Sequence, residues 1–278
     1  MGAAQALKKT LKSTVKQALW HAFKGEDGLT DVTVLSGPTR GTRLRVDLRC
    51  EAAYWLGTYD SRIVSKLAGM LRPGQVAFDC GAFLGAYAAA MRNAVGPTGV
   101  VHVFEASAKN FARVSRLPTA NGWSNVHVHH LAVGEAHSKI RFATNLGAAS
   151  GPVDAPGKQM DLSGVEVEEV ECSGIDELVY ERGLPAPDFL KLDLETAEVF
   201  ALANGDRLWR EKRPSMLIEL HKTRADPRPP TFVAAERFLR EYGYAATEAH
   251  LGIPVATVRD FVDAEARDVQ CTLFATPR

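Results

Sequence analysis

Between residues 76 and 133 the chain alternates short apolar runs with helical segments, and this alternation constrains its fold more than any other feature. The apolar runs 76–78, 99–104 and 126–133 are too short for long helices, and each borders on glycine, asparagine or an acidic residue. An alanine-rich helical segment and a second helical segment lie between them. A strand–helix–strand–helix–strand series predicts parallel strands with helices on both faces.

A second series of strands and helices follows residue 164. Apolar runs predict strands over 165–172, 189–194, 215–220 and 269–275, and amphipathic segments predict helices over 173–182, 197–208 and 231–242. The two series together predict one α/β domain over residues 73–278. The stretch 144–164 is rich in glycine, alanine, proline and serine, and we expect a functional loop there, because loops of this length are seldom idle.

The first 72 residues are predicted to form a separate N-terminal segment of one helix, a hairpin and a cap. Residues 2–23 repeat apolar side chains every four positions with lysines on other faces, which predicts an amphipathic helix. That helix could lie on a membrane surface or a partner, or it could pack on its own domain; the modest apolar stripe favours its own domain. Residues 31–50 are predicted to form a β-hairpin, and 61–71 a helix.

Composition excludes several classes of protein. The 278 residues are 46% apolar and 24% charged, which excludes a disordered or fibrous chain. Lysine plus arginine and aspartate plus glutamate both total 33, so no overall basic field indicates nucleic acid as the partner. Four cysteines without CxxC spacing support neither a zinc site nor a disulfide framework. With no signal peptide and no apolar run near the roughly 20 residues of a membrane span, we expect a cytoplasmic protein.

The segment 79–85, with the sequence DCGAFLG, follows the first strand of the series and opens a helix. Gly81 would let the backbone turn sharply and a ligand approach it, and Gly85 would permit close packing of helix on strand. A dinucleotide-binding turn needs a glycine in the middle to admit a pyrophosphate, whereas this chain has Phe83. The motif therefore disfavours NAD and suits S-adenosylmethionine, a nucleoside cofactor without phosphate, whose ammonium group could lie near Asp79.

Glu105 ends the second strand of the series, 20 residues after Gly85. In nucleoside-binding α/β sheets an acid at this position accepts hydrogen bonds from both ribose hydroxyls. The alternative is that Glu105 only interacts with the dipole of the following helix. The glycine-containing turn and the spacing together favour ribose binding.

Four polar side chains follow two further buried strands: Asp193 and Glu195 after one, Glu219 and His221 after the other. Because the carboxyl ends of parallel strands meet at one edge of a sheet, these groups could converge where α/β sheets bind ligands. They could deprotonate an alcohol or hold a divalent cation. The alternative is that Glu219 only pairs with Lys191 and that His221 is a hydrogen-bonded structural residue. We do not favour a metal, because the spacing of the donors is not that of a compact metal motif.

The order and spacing of these blocks resemble those of the FkbM-type S-adenosylmethionine-dependent methyltransferases, which are class I O-methyltransferases. The blocks are YWLGTYD at 54–60, DCGAFLG at 79–85, VFE at 103–105, DFLKLDLE at 188–195 and RPSMLIELH at 213–221. The resemblance covers about residues 45–222. It implies a class I, Rossmann-like α/β fold, with a mostly parallel sheet of seven strands, helices on both faces and the last strand antiparallel.

The resemblance also implies the cofactor, S-adenosylmethionine, and its contacts. It implies that Gly81, Glu105 and Leu131–Ala132 contact the cofactor, that Asp193 lies near the transferred methyl group and that Tyr59 covers the methionine end. The predicted cofactor-binding residues are Tyr59, Asp79, Gly81, Ala82, Phe83, Gly85, Glu105, Ala106, Ser107, Asn110, Leu131, Ala132 and Asp193. The predicted catalytic residues are His221, Asp193, Glu219 and Glu195. We predict that His221 is the general base, with Asp193 as the second candidate.

Three positions depart from the pattern of the family. The family usually has asparagine at the position of Phe83, Pro-Asn at the position of Ala106-Ser107 and glycine at the position of Thr196. None of these departures removes a group that methyl transfer requires.

The resemblance implies acceptors of the kind that the family methylates: hydroxyls of sugars, glycolipids or polysaccharides, and polyketide natural products. Segments 51–60, 144–164 and 222–232 are predicted to wall the acceptor pocket. Two alternatives stay open: a non-catalytic nucleoside-binding or scaffold domain, and a NAD-dependent oxidoreductase, whose GxGxxG turn the sequence lacks.

Overall fold

The computed structural model describes residue 17 and residues 20–146, 150–154, 161–221, 228–265 and 270–278. The strands are β1 (Thr30–Thr33), β2 (Arg43–Val46), β3 (Val76–Cys80), β4 (Val100–Glu105), β5 (Val126–His130), β6 (Ala132–Val133), β7 (Ser138–Ala143), β8 (Val167–Ser173), β9 (Phe189–Leu192), β10 (Ser215–His221), β11 (Tyr244–Glu248), β12 (Pro254–Val255) and β13 (Gln270–Pro277). The helices are α1 (Ala52–Leu56), α2 (Ser61–Met70), α3 (Ala86–Val95), α4 (Ala108–Val114), α5 (Leu117–Asn121), α6 (Glu198–Ala203), α7 (Asp206–Glu211), α8 (Pro230–Glu241) and α9 (Val258–Glu265), and Glu177–Glu181 form a π-helical turn.

The centre of the molecule is a sheet of eight described strands in the order β12-β11-β13-β10-β9-β3-β4-β5. Five neighbouring strands of this sheet run parallel to one another: β10, β9, β3, β4 and β5. β13 is antiparallel to both of its neighbours, β10 and β11. The predicted class I α/β fold, mostly parallel and with an antiparallel last strand, is confirmed.

The number of strands in that sheet differs from the prediction. The predicted strand over 165–172 exists as β8, but it pairs with β6 and β7 in a separate three-stranded sheet. The main sheet is instead completed by β11 and by the two-residue β12, which the sequence analysis did not predict. β11 reads YAATE, whose small residues give a weak strand pattern, and its place in the sheet comes from its pairing with β13.

Apolar side chains alternate between the two faces of the sheet, and each face carries its own core. Ala77 and Phe189 belong to the cluster that includes the buried side chains of α3, whereas Phe78 and Leu190 belong to the cluster that includes those of α8. All four are at most 1% exposed. The strands are therefore apolar on both sides, as expected for parallel strands covered by helices.

The N-terminal segment packs on the helical face that contains α3. β1 and β2 form the predicted hairpin, with Thr30 opposite Val46. Val46, together with Ile63 and Leu67 of α2, joins the same apolar cluster as α3. Most of the helix predicted over 2–23 lies outside the described residues, although residues 20–23 are helical. No helix in the described ranges is long and apolar enough to cross a membrane. A domain boundary near residue 72 stays a proposal.

Two predicted helices have different bounds because glycines redirect the chain. The segment predicted to be helical from residue 82 begins only at Ala86, since Gly85 has a φ of 88° and ends a turn. The helix predicted over 197–208 is divided into α6 and α7 at Gly205. A Cβ atom on Gly205 would lie 2.4 Å from the ring of Trp209, which is fully buried there. The predicted helix over 173–182 is shorter too, because Ser173 ends β8.

Histidine rings stack at the edge of the main sheet where β5 has no further described neighbour. The ring of His102 stacks on those of His127 and His129, and its Nδ1 lies 3.0 Å from Nε2 of His129. His102 is only 5% exposed, and burial, with the two neighbouring histidines, lowers its pKa to about 4. The fold therefore holds His102 in its neutral form.

We expect the stability of the protein to decrease at acidic pH through His102. Its pKa in the folded state lies below the unfolded value of about 6.5, so its contribution is complete above pH 6.5 and is lost as the pH falls toward 4. Urea unfolding should show that the free energy of unfolding falls between pH 7.5 and pH 4.5 by up to about 3 kcal/mol more in wild type than in His102→Phe. Parallel pH dependences of the two proteins would contradict this role.

Candidate active site

The carboxyl ends of β3, β4, β9 and β10 border a cavity of about 250 Å³. β3 and β9 are neighbours in the sheet, and the chain leaves β3 toward β4 on its other side, so the cavity lies at a switch in strand order. The predicted residues that line it are Tyr59, Gly81, Ala82, Phe83, Glu105, Ala106, Asn110, Leu131, Ala132, Asp193, Glu195 and Glu219. Asp79, Gly85, Ser107 and His221, also predicted, are not in this lining.

The turn after β3 approaches another part of the backbone very closely. Gly81 has a φ of 82°, and a Cβ atom on it would lie 1.8 Å from the carbonyl oxygen of Asp193. Gly85 instead packs against Val114 and Leu117, where a Cβ would meet side-chain atoms at 2.9 Å. Gly81 therefore sets how closely the turns after β3 and β9 approach at the floor of the cavity.

Phe83 adopts the left-handed backbone conformation, with a φ of 52°. Asparagine tolerates this conformation better than most residues, which explains why it suits the position in related chains. The Phe83 ring lies near Tyr54 and 5.3 Å from the guanidinium of Arg113. The departure at this position therefore places an aromatic ring in the cavity wall.

Glu105 lies at the end of β4 with both carboxylate oxygens held by backbone amides. The Phe83 N–H donates to Oε2 at 2.7 Å, and the Ser107 N–H donates to Oε1 at 2.9 Å. Burial raises the pKa of Glu105 to about 7, although both amide bonds favour the ionised form. Each oxygen keeps a further lone pair, so this oriented carboxylate can still accept hydrogen bonds from a diol.

Lys191 is a buried cation in the lining of the cavity, only 2% exposed. Its ammonium donates to the carbonyl oxygen of Gly81 at 2.8 Å and lies 3.1 Å from Asp193 Oδ2 and 3.4 Å from Asp79 Oδ1. Burial opposes its charge, but Asp193 and Asp79 raise the pKa of Lys191 above its usual value. Asp79 is thus completely buried as a partner of Lys191, below the lining of the cavity.

His221 lies at the end of β10 among four carboxylates. Its Nε2 is 3.5 Å from Glu219, 3.6 Å from Glu195 and 3.9 Å from Asp193, while its Nδ1 is 3.1 Å from Glu198. Burial opposes its charge, but these carboxylates, Glu198 foremost, raise the pKa of His221 well above its usual value. Burial and the neighbouring Asp193 also raise the pKa of Glu219. The predicted catalytic residues therefore lie together: Asp193, Glu195 and Glu219 line the cavity, and His221 lies against them just outside its lining.

One atom from each of Asp193, Glu219 and His221 lies within 4.8 Å of the others, a spacing that a divalent cation could bridge. Glu198 completes the polar cluster from behind His221, and the sequence analysis missed it. Tyr54 and Pro152 line the cavity and belong to the segments 51–60 and 144–164 that were predicted to wall the pocket. Tyr87, Ile140 and Phe142 also line it and were not predicted. Such residues approach the cavity only through tertiary packing, so no local pattern marks them.

The turn between β9 and α6 is strained. Glu195 has a φ of 52° and Thr196 a φ of 87°. Thr196 is a β-branched residue in a conformation that favours glycine, and its buried hydroxyl has no hydrogen-bond partner within the described residues. Thr196 is also the position where the related family usually has glycine, so the departure noted in the sequence carries a conformational penalty here.

The sequence profile of the methyltransferase FkbM domain matches residues 79–246, more than half of the chain. The chain belongs to the FkbM methyltransferase family. It is accordingly an S-adenosylmethionine-dependent methyltransferase. No curated protein matches the chain.

Among solved structures, the FkbM methyltransferase of Methylobacillus flagellatus KT shares 17% identity with a TM-score of 0.45, over 87% of this chain and 56% of that one. The precorrin-6y C5,15-methyltransferase of Geobacter metallireducens GS-15 shares 11% identity with a TM-score of 0.43, over 78% and 87% of the two chains. The Aeropyrum pernix fibrillarin, in complex with S-adenosylmethionine, shares 14% identity with a TM-score of 0.43, over 90% of both.

The FkbM cavity has the donors and acceptors that this cofactor needs. Glu105 offers a buried, oriented carboxylate for a ribose diol, and the Gly81 turn exposes backbone without a side chain. Tyr59 stacks on Tyr54 with ring centroids 4.0 Å apart at the wall of the same cavity. The residues present therefore fit S-adenosylmethionine.

We expect cofactor affinity to depend on the ionisation of Glu105. Its pKa of about 7 means that lowering the pH from 8 to 6 converts the diol-accepting carboxylate to the acid. Calorimetric titration with S-adenosylhomocysteine should show affinity falling by up to about tenfold per pH unit below 7. Glu105→Gln should bind more weakly at pH 8 and show little change over this range. An equal pH slope in both proteins would assign the effect to another group.

Thr196→Gly should stabilise the protein by about 1 kcal/mol. Glycine relieves the left-handed strain and removes an unpaired buried hydroxyl, and these gains exceed its entropy penalty in the unfolded chain. Urea unfolding measures the change, and Thr196→Ala, which keeps the Cβ, is the matched control and should gain less. A Gly variant no more stable than wild type would show that the turn is not strained.

Proposed function

We propose that the protein transfers a methyl group to a hydroxyl of a sugar, glycolipid, polysaccharide or polyketide-type acceptor. The observation that carries this proposal is that Asp193 and Glu219 line the same cavity as Gly81 and Glu105, with His221 directly behind these two carboxylates. When bound, S-adenosylmethionine supplies an electrophilic methyl group. The chain must then orient the acceptor, exclude water and take up the hydroxyl proton.

The cofactor residues divide the cavity into two ends. Glu105 would hold the ribose, with Ala106, Asn110, Leu131 and Ala132 beside it. Toward Asp193, the Gly81 turn and the stacked Tyr54 and Tyr59 would enclose the methionine end. The acceptor hydroxyl is then directed to the remaining space, which the carboxylates of Asp193, Glu195 and Glu219 border.

His221 is the general base in this proposal. Asp193 is already paired with the ammonium of Lys191, with its Oδ2 3.1 Å from Nζ, so its carboxylate is engaged in an ion pair. Four described carboxylates lie around the imidazole of His221, so its pKa is raised and its neutral form is a stronger base than ordinary histidine. At neutral pH most of the imidazole is protonated before the reaction, and it must lose this proton to act.

The acceptor end favours a polyhydroxylated substrate. Asp193, Glu195 and Glu219 offer only hydrogen-bond acceptors when ionised, and several hydroxyls on one sugar ring can donate to them together. Of the predicted walls, residues 51–60 contribute Tyr54 and Tyr59, and residues 144–164 contribute Ser150 and Pro152; residues 222–227 lie outside the described ranges. We propose that the protein acts in the cytoplasm without a nucleic-acid partner, and that its N-terminal helix could contact a membrane surface.

Methyl transfer to a panel of sugar, glycolipid and polyketide hydroxyls, detected by mass spectrometry, tests the proposal. We expect activity to rise with pH from 6 up to the raised pKa of His221 and then to level off, because only the neutral imidazole accepts a proton. His221→Asn should lower kcat by about 10²- to 10⁴-fold and remove this rise.

His250→Asn, which changes an exposed histidine before β12, is the matched control and should leave the pH profile unchanged. A flat profile between pH 6 and 9 in wild type, with kcat retained in His221→Asn, would exclude His221 as the base. Cofactor binding without transfer to any acceptor would favour the nucleoside-binding alternative.

A further inference from the structure

Glu198 lies behind the acid–histidine cluster, in the first turn of α6, and does not line the cavity. It is fully buried. Its Oε1 accepts a hydrogen bond from the Leu194 N–H at 2.7 Å and lies 3.1 Å from Nδ1 of His221. A single carboxylate oxygen thus joins the turn after β9 to the last residue of β10.

The contact with Nδ1 decides which nitrogen of His221 faces the cavity. A carboxylate accepts a hydrogen bond and cannot donate one when ionised, so Nδ1 must carry a proton. In the neutral imidazole the lone pair is then on Nε2, which points toward Glu195 and Glu219 at 3.6 and 3.5 Å. This is the tautomer that a base acting at the cavity requires.

The hydrogen bond from the Leu194 N–H to Glu198 fixes the turn that carries Asp193 and Glu195. Leu194 lies between Asp193 and Glu195. The two residues that follow it, Glu195 and Thr196, are both in the left-handed conformation. A strained turn persists only where its surroundings fix it. Glu198 therefore sets the position of Asp193 and Glu195 relative to His221, as well as the tautomer of His221.

We infer that Glu198 is the positioning residue of the active site, and that it orients His221 as the base and fixes the turn that carries Asp193 and Glu195. This inference deepens the proposed function and rests on it for its catalytic consequence. Glu198 does not touch the substrate or the reacting atoms in this assignment.

Charge on Glu198 also affects the titration of His221, together with the other charged groups near the imidazole. Within the described ranges these groups are Asp193 and Glu195 from the turn after β9, Glu219 from β10 and Glu198 from α6. Lys191 faces Asp193 from below. Glu198 is the nearest of the carboxylates and the first of those that raise the pKa of His221 against burial.

Glu198→Gln isolates the charge, because the glutamine carbonyl can still accept from both the Leu194 N–H and the His221 Nδ1–H. In this variant NMR titration of the His221 ring should show a lower pKa with Nδ1 still protonated, and the pH profile of kcat should shift to lower pH. Glu198→Ala removes both contacts. It should lower kcat about 100-fold with KM and S-adenosylhomocysteine affinity changed by less than about threefold, and Glu198→Asp should recover part of the loss.

Glu211→Gln, which changes an exposed carboxylate at the end of α7, is the matched control and should change none of these quantities. An unchanged His221 pKa and pH profile in Glu198→Gln would overturn the inference. Loss of stability in Glu198→Ala with kcat unchanged would assign a purely structural role and would also overturn it. The ring titration is measured on the free protein, so it decides the Glu198–His221 pairing even if no hydroxyl acceptor is methylated.

Discussion

The buried ammonium of Lys191 is the interaction on which the site depends. A charge without water must be paired and hydrogen-bonded, and Lys191 meets this need with the carbonyl oxygen of Gly81 and the carboxylates of Asp79 and Asp193. These partners belong to β3 and β9 or the turns that follow them, and Asp79 lies opposite Lys191 in the register of the two strands. One cation therefore fixes the cofactor turn and the carboxylate of Asp193 relative to each other.

The carboxylates of the same cluster determine the charge of His221. Lys191 pairs with Asp79 and Asp193 and also interacts with Glu219, while Glu195, Glu198 and Glu219 lie close to the imidazole of His221. Their field raises the pKa of the imidazole despite its burial. In the proposed mechanism the carboxylates that hold His221 also increase its basicity, and these groups need little reorganisation when a proton moves.

Much of the sheet could be predicted from the sequence, because β3, β4, β9 and β10 are largely apolar and buried on both faces and therefore appear as short continuous runs. β11 could not be predicted, because its alanines give no such apolar run. β8 was predicted correctly as a strand but assigned to the wrong sheet, because a local pattern does not reveal the strand's pairing partner. Glu105, Asp193, Glu219 and His221 could be located because strand ends meet at one edge. Glu198 could not, because a single acid in a helix gives no sign of a partner 23 residues away.

Three non-glycine residues with positive φ lie at or beside the cavity, and the packing around them explains why they persist. Phe83, Glu195 and Thr196 all have left-handed backbone conformations, which cost about 1–3 kcal/mol each and persist only where neighbouring groups enforce them. Glu105 holds the Phe83 amide, and Glu198 holds the Leu194 amide beside Glu195. Two buried carboxylates thus stabilise the turns that the chemistry uses. This explains why an unfavourable Thr196 is tolerated: the turn is fixed by its hydrogen bonds and by the contact with Gly81, whatever side chain stands at its centre.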